Sequence, residues 1–105
     1  MKFTCPCCGY AELSRPSYQN LIGPPFQSDA KPPYSRFYGE PSYDVCGCCG
    51  FEFGNDDDPG TTEPETFDHY LRKWIENGCV WFNPSAKPVN WNLKKQLQEA
   101  GINCE

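Results

Sequence analysis

The chain is short of aliphatic side chains. Among its 105 residues, Leu, Ile and Val together number eleven, a thin supply for a packed core. With a formal net charge of −5, such a composition leans toward disorder unless something else supplies cohesion. No stretch approaches the ~20 apolar residues of a membrane helix. No apolar run precedes the first cysteines, so no secretory leader is expected and a cytoplasmic, reducing compartment is. Histidine occurs once, as His69. A Gly-rich phosphate loop, G-x-S-x-G and H-E-x-x-H are all missing, and with them the usual nucleotide-binding and hydrolytic vocabularies. Clustered positive charge is missing too: Lys2, Arg15, Lys31, Arg36, Arg72, Lys73, Lys87, Lys94 and Lys95 are spread along the chain. An acidic surface without a basic patch argues against a nucleic-acid partner.

What is present compensates. Aromatic residues make up 15% of the chain, and each ring can bury a large apolar area. Eight cysteines offer the staples that a small core requires. Six of them fall in two near-copies of one pattern, "FTCPCCGYAE" from Phe3 and "DVCGCCGFEF" from Asp44. Cysteines and glycines coincide in the two copies, and an aromatic, Tyr10 or Phe51, follows each glycine. Strand-like alternation flanks both clusters, which predicts two hairpins that turn at their cysteines.

Between the copies, residues 14–41 are rich in proline and tyrosine. The pairs Pro24–Pro25 and Pro32–Pro33 rule out a regular helix or a central strand. The expectation is an excursion whose rings cover the core rather than a proline-rich ligand for another domain. "GNDDDPG", after the second cluster, reads as a solvated acidic turn; its spacing does not match a calcium loop. "TTEPETFDHYLRKWIENG" predicts a helix with Thr62 as cap and Glu65 completing a capping box. Phe67, Tyr70, Leu71, Trp74 and Ile75 share one face of it, and Gly78 ends it. A second helix in "WNLKKQLQEAGI" would be capped by Asn90 or Asn92 and would present Leu93, Leu97 and Ala100. Gly101 would stop it, with Ile102 folding back toward Leu97. His69 lies in the first helix without a nucleophile beside it in sequence, and reads as a solvated or hydrogen-bonded helix residue rather than a general base.

Cys5 with Cys8, and Cys46 with Cys49, are C-x-x-C pairs, each followed by glycine. Such a turn aims two sulfurs at one point, and two turns face to face make a tetrahedral Cys₄ cage for Zn²⁺. The cage leaves no coordination position open, so the metal would be structural, and the chain is expected not to be an enzyme. A structural zinc can supply on the order of 10 kcal/mol of folding free energy, enough to offset the thin core. Iron is the competing ion: the turns look like those of a rubredoxin, an Fe-Cys₄ electron carrier, although the helical tail has no counterpart there. Cys7 and Cys48 occupy equivalent places before the second cysteine of each pair. One reading is a small side chain tolerated on the outside of a turn, pointing away from the ion; another is a redox pair or an alternative ligand set. Cys79 and Cys104 read as single free thiols.

"CPCCGY", "SYDVCGCCGFEFGNDDD" and the helical tail together resemble the cysteine-rich CPCC family of small bacterial proteins. The resemblance implies a zinc-ribbon-like metal domain with Cys5, Cys8, Cys46 and Cys49 at the ligand positions. This chain departs from the family pattern at Gly47 and Cys48, where many relatives have C-P-x-C without a third cysteine. The full expectation is a single α+β domain over 1–105: a zinc-ribbon or rubredoxin-like pair of metal-binding β-hairpins (1–13 and 42–54), an insertion (14–41), and a tail (61–105) whose two helices pack alongside. Its expected role is a non-catalytic zinc protein that binds a protein partner, with one structural Zn²⁺ and neither membrane nor nucleic acid. The alternative is a redox protein, either an Fe-Cys₄ carrier or a thiol switch through Cys7 and Cys48.

Overall fold

The computed structural model describes residues 2–21, 23, 26, 31–57 and 66–102. Three α-helices occur among them: α1 (Ser35–Tyr38), α2 (Phe67–Glu76) and α3 (Leu93–Glu99), with a 3₁₀ turn at Pro84–Ala86 between the last two. Local chemistry accounts for the two longer helices. The Thr66 hydroxyl accepts from the His69 N–H at 3.0 Å and caps α2, so the helix starts at Phe67, later than the expected cap Thr62 would put it; Thr62 and the expected capping-box residue Glu65 lie outside the described residues. Asn92 caps α3 by accepting from the Lys95 N–H at 3.0 Å. Both helices end in the double bond of a Schellman cap. Cys79 N donates to Trp74 O and Gly78 N to Ile75 O; Ile102 N donates to Leu97 O and Gly101 N to Gln98 O. α1 is a single turn directly after Pro33, inside the segment where prolines argue against regular helix.

The expected β-hairpins do not form, and the α+β zinc-ribbon or rubredoxin-like architecture is therefore corrected. Among the described residues there is no strand. Four isolated antiparallel bridges stand in place of ladders: Phe3–Leu13, Tyr18–Leu21, Tyr18–Pro41 and Val45–Glu52. Register explains the first arm. Phe3 exchanges both backbone bonds with Leu13, whereas Cys5 N donates to Tyr10 O. Three steps from Tyr10 to Leu13 oppose two from Phe3 to Cys5, and the extra residue breaks the pairing as a bulge does. Backbone torsion explains the second arm. Cys46 pairs with Phe51, and Phe53 N donates to Asp44 O; then Tyr43 takes φ 61 and Gly54 takes φ 96, turning both sides out of the extended region. The chain is thus a set of turns and short helices around buried sulfur and aromatic side chains.

Rings supply the core that aliphatics do not. Tyr18, Tyr34, Phe51 and Phe53 are fully buried. Phe67, the first residue of α2, stacks on Tyr34 at 3.7 Å between centroids with 5° between planes, and meets Phe51 at 5.2 Å. Burying such a ring contributes about 1.5–3 kcal/mol. The described part of the proline-rich segment does cover the core, through Tyr18 and Tyr34. A second aromatic group joins Tyr10, Trp81, Trp91 and Trp74 edge to face and brings the loop after α2 against the first cysteine turn. Leu71 and Trp74 of α2 and Leu97 of α3 are buried as the helical periodicity predicts.

The acidic turn differs from its solvated reading. Asp57 is 1% exposed and accepts from Tyr18 Oη at 2.8 Å, Gly54 N at 2.7 Å and Tyr34 N at 3.3 Å. Three donors satisfy a carboxylate that would otherwise be costly to bury. Burial and the neighbouring Asp57 charge push the Tyr18 hydroxyl far up, so it remains a donor. The carboxylate ties the excursion to the second arm at the centre of the aromatic cluster.

Candidate metal centre

The two cysteine turns have the same internal wiring. Gly9 N donates to Cys5 O and Gly50 N to Cys46 O, each at 2.9 Å. Gly9 and Gly50 take φ 85 and 82, the left-handed region that glycine enters without a Cβ clash. In the first turn Cys7 N also points at Cys5 Sγ, at 3.4 Å. The turns face each other and bring Cys5, Cys8, Cys46 and Cys49 together. Their four sulfurs lie within 4.8 Å of one another, all in buried residues, and none is in a disulfide.

Distances separate a metal cage from cystines. A disulfide needs about 2.05 Å between sulfurs, and Cys8 Sγ and Cys46 Sγ stand 3.7 Å apart. A tetrahedron with metal–sulfur bonds of ~2.3 Å has edges of about 3.8 Å. The four cysteines could hold a metal ion in that geometry. Burial pushes the Cys5 thiol up to about 11 and drives Cys8 and Cys49 well up. Cys46 is held well down because Cys49, Cys5 and Cys8 donate S–H hydrogen bonds to it. A dication held among the four sulfurs would stabilise the thiolate form of each.

Comparison with known proteins places the chain. It is 30% identical to the uncharacterized protein YoaQ of Bacillus subtilis (strain 168) over 122 aligned positions, which cover 98% of this chain and 90% of that protein. The chain belongs to the YoaQ family. It is also 29% identical to the uncharacterized protein YozI of the same organism, over 98% of this chain and 88% of that one. No protein family model matches the chain, and no solved structure matches it.

In this member of the YoaQ family, two cysteines depart from their expected surroundings. Cys7 and Cys48 do not sit on the outside of their turns. They are 1% and 0% exposed, pressed between the turns and the helices. The Cys7 thiol donates to the Phe67 carbonyl of α2 at 3.5 Å, and Cys48 Sγ accepts from Gln96 Nε2 of α3 at 3.6 Å. Cys79 is a partly buried free thiol just beyond α2; Cys104 lies outside the described residues. His69 is exposed on α2 and has no part in the cluster.

Gln96 is the residue that sequence reasoning missed. Its Nε2 also donates to Cys8 O at 2.9 Å, and its Oε1 accepts from Trp91 Nε1 at 2.9 Å. One amide therefore joins the first turn, the second turn and the tryptophan group. A signal existed: Leu93, Gln96, Leu97 and Ala100 share a helical face, and a polar residue within an apolar stripe must find partners.

Proposed function

We propose that the protein is a non-catalytic zinc protein of the cysteine-rich CPCC kind, in which one Zn²⁺ held by Cys5, Cys8, Cys46 and Cys49 organises a module that binds a protein partner in the cytoplasm. The observation that carries the metal reading is the group of four buried sulfurs within 4.8 Å, with an edge of 3.7 Å that matches a tetrathiolate. Four sulfurs complete the coordination of zinc and leave no place for a water or a substrate, which supports a structural role. Thiolate-only donor sets suit zinc and iron alike; zinc is preferred because it is the common occupant of such closed sites in small domains.

Two features support the interaction role. Val80 and Phe82 are 69% and 63% exposed, and Phe82 lies over Gly50 of the second turn. An apolar patch beside a rigid metal-held turn suits a protein surface better than solvent. Among the described residues no helix is long and apolar enough to cross a membrane. The deciding experiment is metal analysis of the purified protein with Cys5→Ser and Cys46→Ser. One equivalent of zinc in a colourless protein, lost together with the fold in either variant, is expected. Visible absorption from iron would replace zinc with an electron-transfer centre, and a fold that survives both substitutions would end the scaffold role.

A further inference from the structure

Tyr10, Trp81 and Trp91 do more than fill a core. They border a cleft of about 350 Å³ between the first cysteine turn, the loop after α2 and helix α3. That volume lies within the range of about 300–1,000 Å³ typical of ligand cavities, whereas rings assembled only for packing would close such a space. Trp81 is buried, and Tyr10 and Trp91 are half-buried. Tyr10 stands at 87° to Trp81 and Trp91 at 88°, each pair with centroids 5.5 Å apart. A group entering the cleft therefore meets rings of crossed orientation. One wall is set in advance: Gln96 lines the cleft and has both ends of its amide engaged, Nε2 donating to Cys8 O and Oε1 accepting from Trp91 Nε1.

The charges at the cleft favour a cation. Lys95 is answered by Glu99 at 4.0 Å, while Glu12, which also lines the cleft, has no ion-pair partner among the described residues. Trp91 already holds a cation from outside the cleft: the ammonium of Lys87 stands 5.2 Å from its ring centroid. No cysteine lines the cleft, so it is distinct from the candidate metal centre.

We infer that this cleft binds a small organic cation of the quaternary ammonium class, held against Tyr10, Trp81 and Trp91, with Glu12 supplying the opposing charge. Aromatic faces attract such cations through the ring quadrupole. A quaternary nitrogen carries no N–H groups, so it enters among rings without leaving donors unpaired; a primary ammonium must find acceptors for three. A wall fixed before binding lowers the ordering cost.

The test titrates choline into the full-length protein and follows tryptophan fluorescence. Neohexanol, the uncharged carbon isostere of choline, and ethanolamine, its primary amine, are titrated in parallel. Choline is expected to bind about tenfold more tightly than either, and NMR to show contacts between its methyl protons and the Trp81 and Trp91 rings. Glu12→Gln, an exposed change that leaves the rings in place, is expected to weaken choline binding about two- to fivefold at low salt and less at high salt. Trp91→Leu is expected to weaken it about tenfold; should that variant fold poorly, the isostere comparison and Glu12→Gln decide. No binding of choline, equal binding of choline and neohexanol, tighter binding of ethanolamine, or methyl contacts outside the cleft overturns the inference.

Discussion

The first and second cysteine turns share one local design and differ in what covers them. Both fold a five-residue stretch through the same backbone bond and the same glycine torsion. The first is pressed against backbone: a Cβ placed on Gly9 would come within 2.9 Å of Gln96 O and 3.0 Å of Ala100 Cβ. The second is covered by side chains at ordinary distance: the same atom on Gly50 would meet Phe82 Cδ1 and Tyr70 Oη at 3.5 Å. The carbonyls of the turns are answered differently too. Cys8 O receives the Gln96 side chain, whereas Cys49 O receives Tyr70 Oη, Cys48 O receives Phe82 N, and Gly47 O receives Asn83 N. A repeated motif fixes the geometry of the sulfurs, and its surroundings then fix how much each copy tolerates. Helix α3 locks the first turn and reaches the second through Gln96 alone, whereas α2 with the loop behind it roofs the second and meets the first at Cys7.

The largest perturbation should erase the difference. If one ion holds both turns, Cys5→Ser and Cys46→Ser cost the same, on the order of 10 kcal/mol, and circular dichroism shows unfolding in either case. An intact fold in one variant and not the other would mean that the turns contribute unequally to the metal. The next perturbation should widen the difference. Alanine at either glycine incurs about 1–2 kcal/mol for the left-handed backbone. Gly9→Ala adds a clash with the backbone of α3, worth about 1–3 kcal/mol as overpacking. Denaturant unfolding at fixed free metal is expected to place Gly9→Ala below Gly50→Ala; equal losses would show that α3 yields at no cost.

What was legible in the sequence follows the same division. The C-x-x-C-G turns, the apolar stripes of α2 and α3, and the Gly78 and Gly101 stops depend on residues within four or five positions of each other, and local sequence carries that information. Alternation in "KFT" and "YAEL" predicts strands but says nothing about register, and the extra residue between Tyr10 and Leu13 shows only once the partners are paired. Three aspartates in a row resemble a surface turn and so predict a solvated Asp57; two of its three donors, Tyr18 Oη and Tyr34 N, come from far off in the chain. The turn taken alone predicts Cys7 and Cys48 on its outside. The helices that bury them arrive from positions 67 and 96.

A smaller perturbation separates the two roofs. Gln96→Leu removes the donor to Cys8 O and the acceptor for Trp91 Nε1 at a partly buried site, for a loss of about 1–3 kcal/mol. Tyr70→Phe removes one hydroxyl donor to Cys49 O and leaves the ring on Phe51, for about 0.5–1.5 kcal/mol. Trp91 fluorescence should respond to the first and not to the second. A response to both would mean that the turns communicate through the cluster rather than through separate covers.

The smallest effect tests an ionic link between the arms. Arg15, just past the first arm, donates from Nε to Asp44 Oδ2 at 2.9 Å and from Nη2 to Oδ1 at 2.8 Å, beside the second turn. The Arg15 hydrogen bond holds the Asp44 carboxyl below its ordinary value. A carboxyl depressed in the folded state stabilises the fold above its unfolded value, near about 3.9, and loses that contribution as pH falls through the folded value. Arg15 is solvent-exposed, so the contribution is small and salt-screened. In Arg15→Gln, an NMR titration should therefore find the Asp44 carboxyl moved up toward its ordinary value, by less at high salt. The measurement needs the tetrathiolate intact, because acid also protonates the cysteines; Co(II) absorption recorded at each pH marks the range in which a shift belongs to Asp44 alone. An unchanged titration in Arg15→Gln within that range would show that the Arg15–Asp44 pair does nothing to hold the arms together.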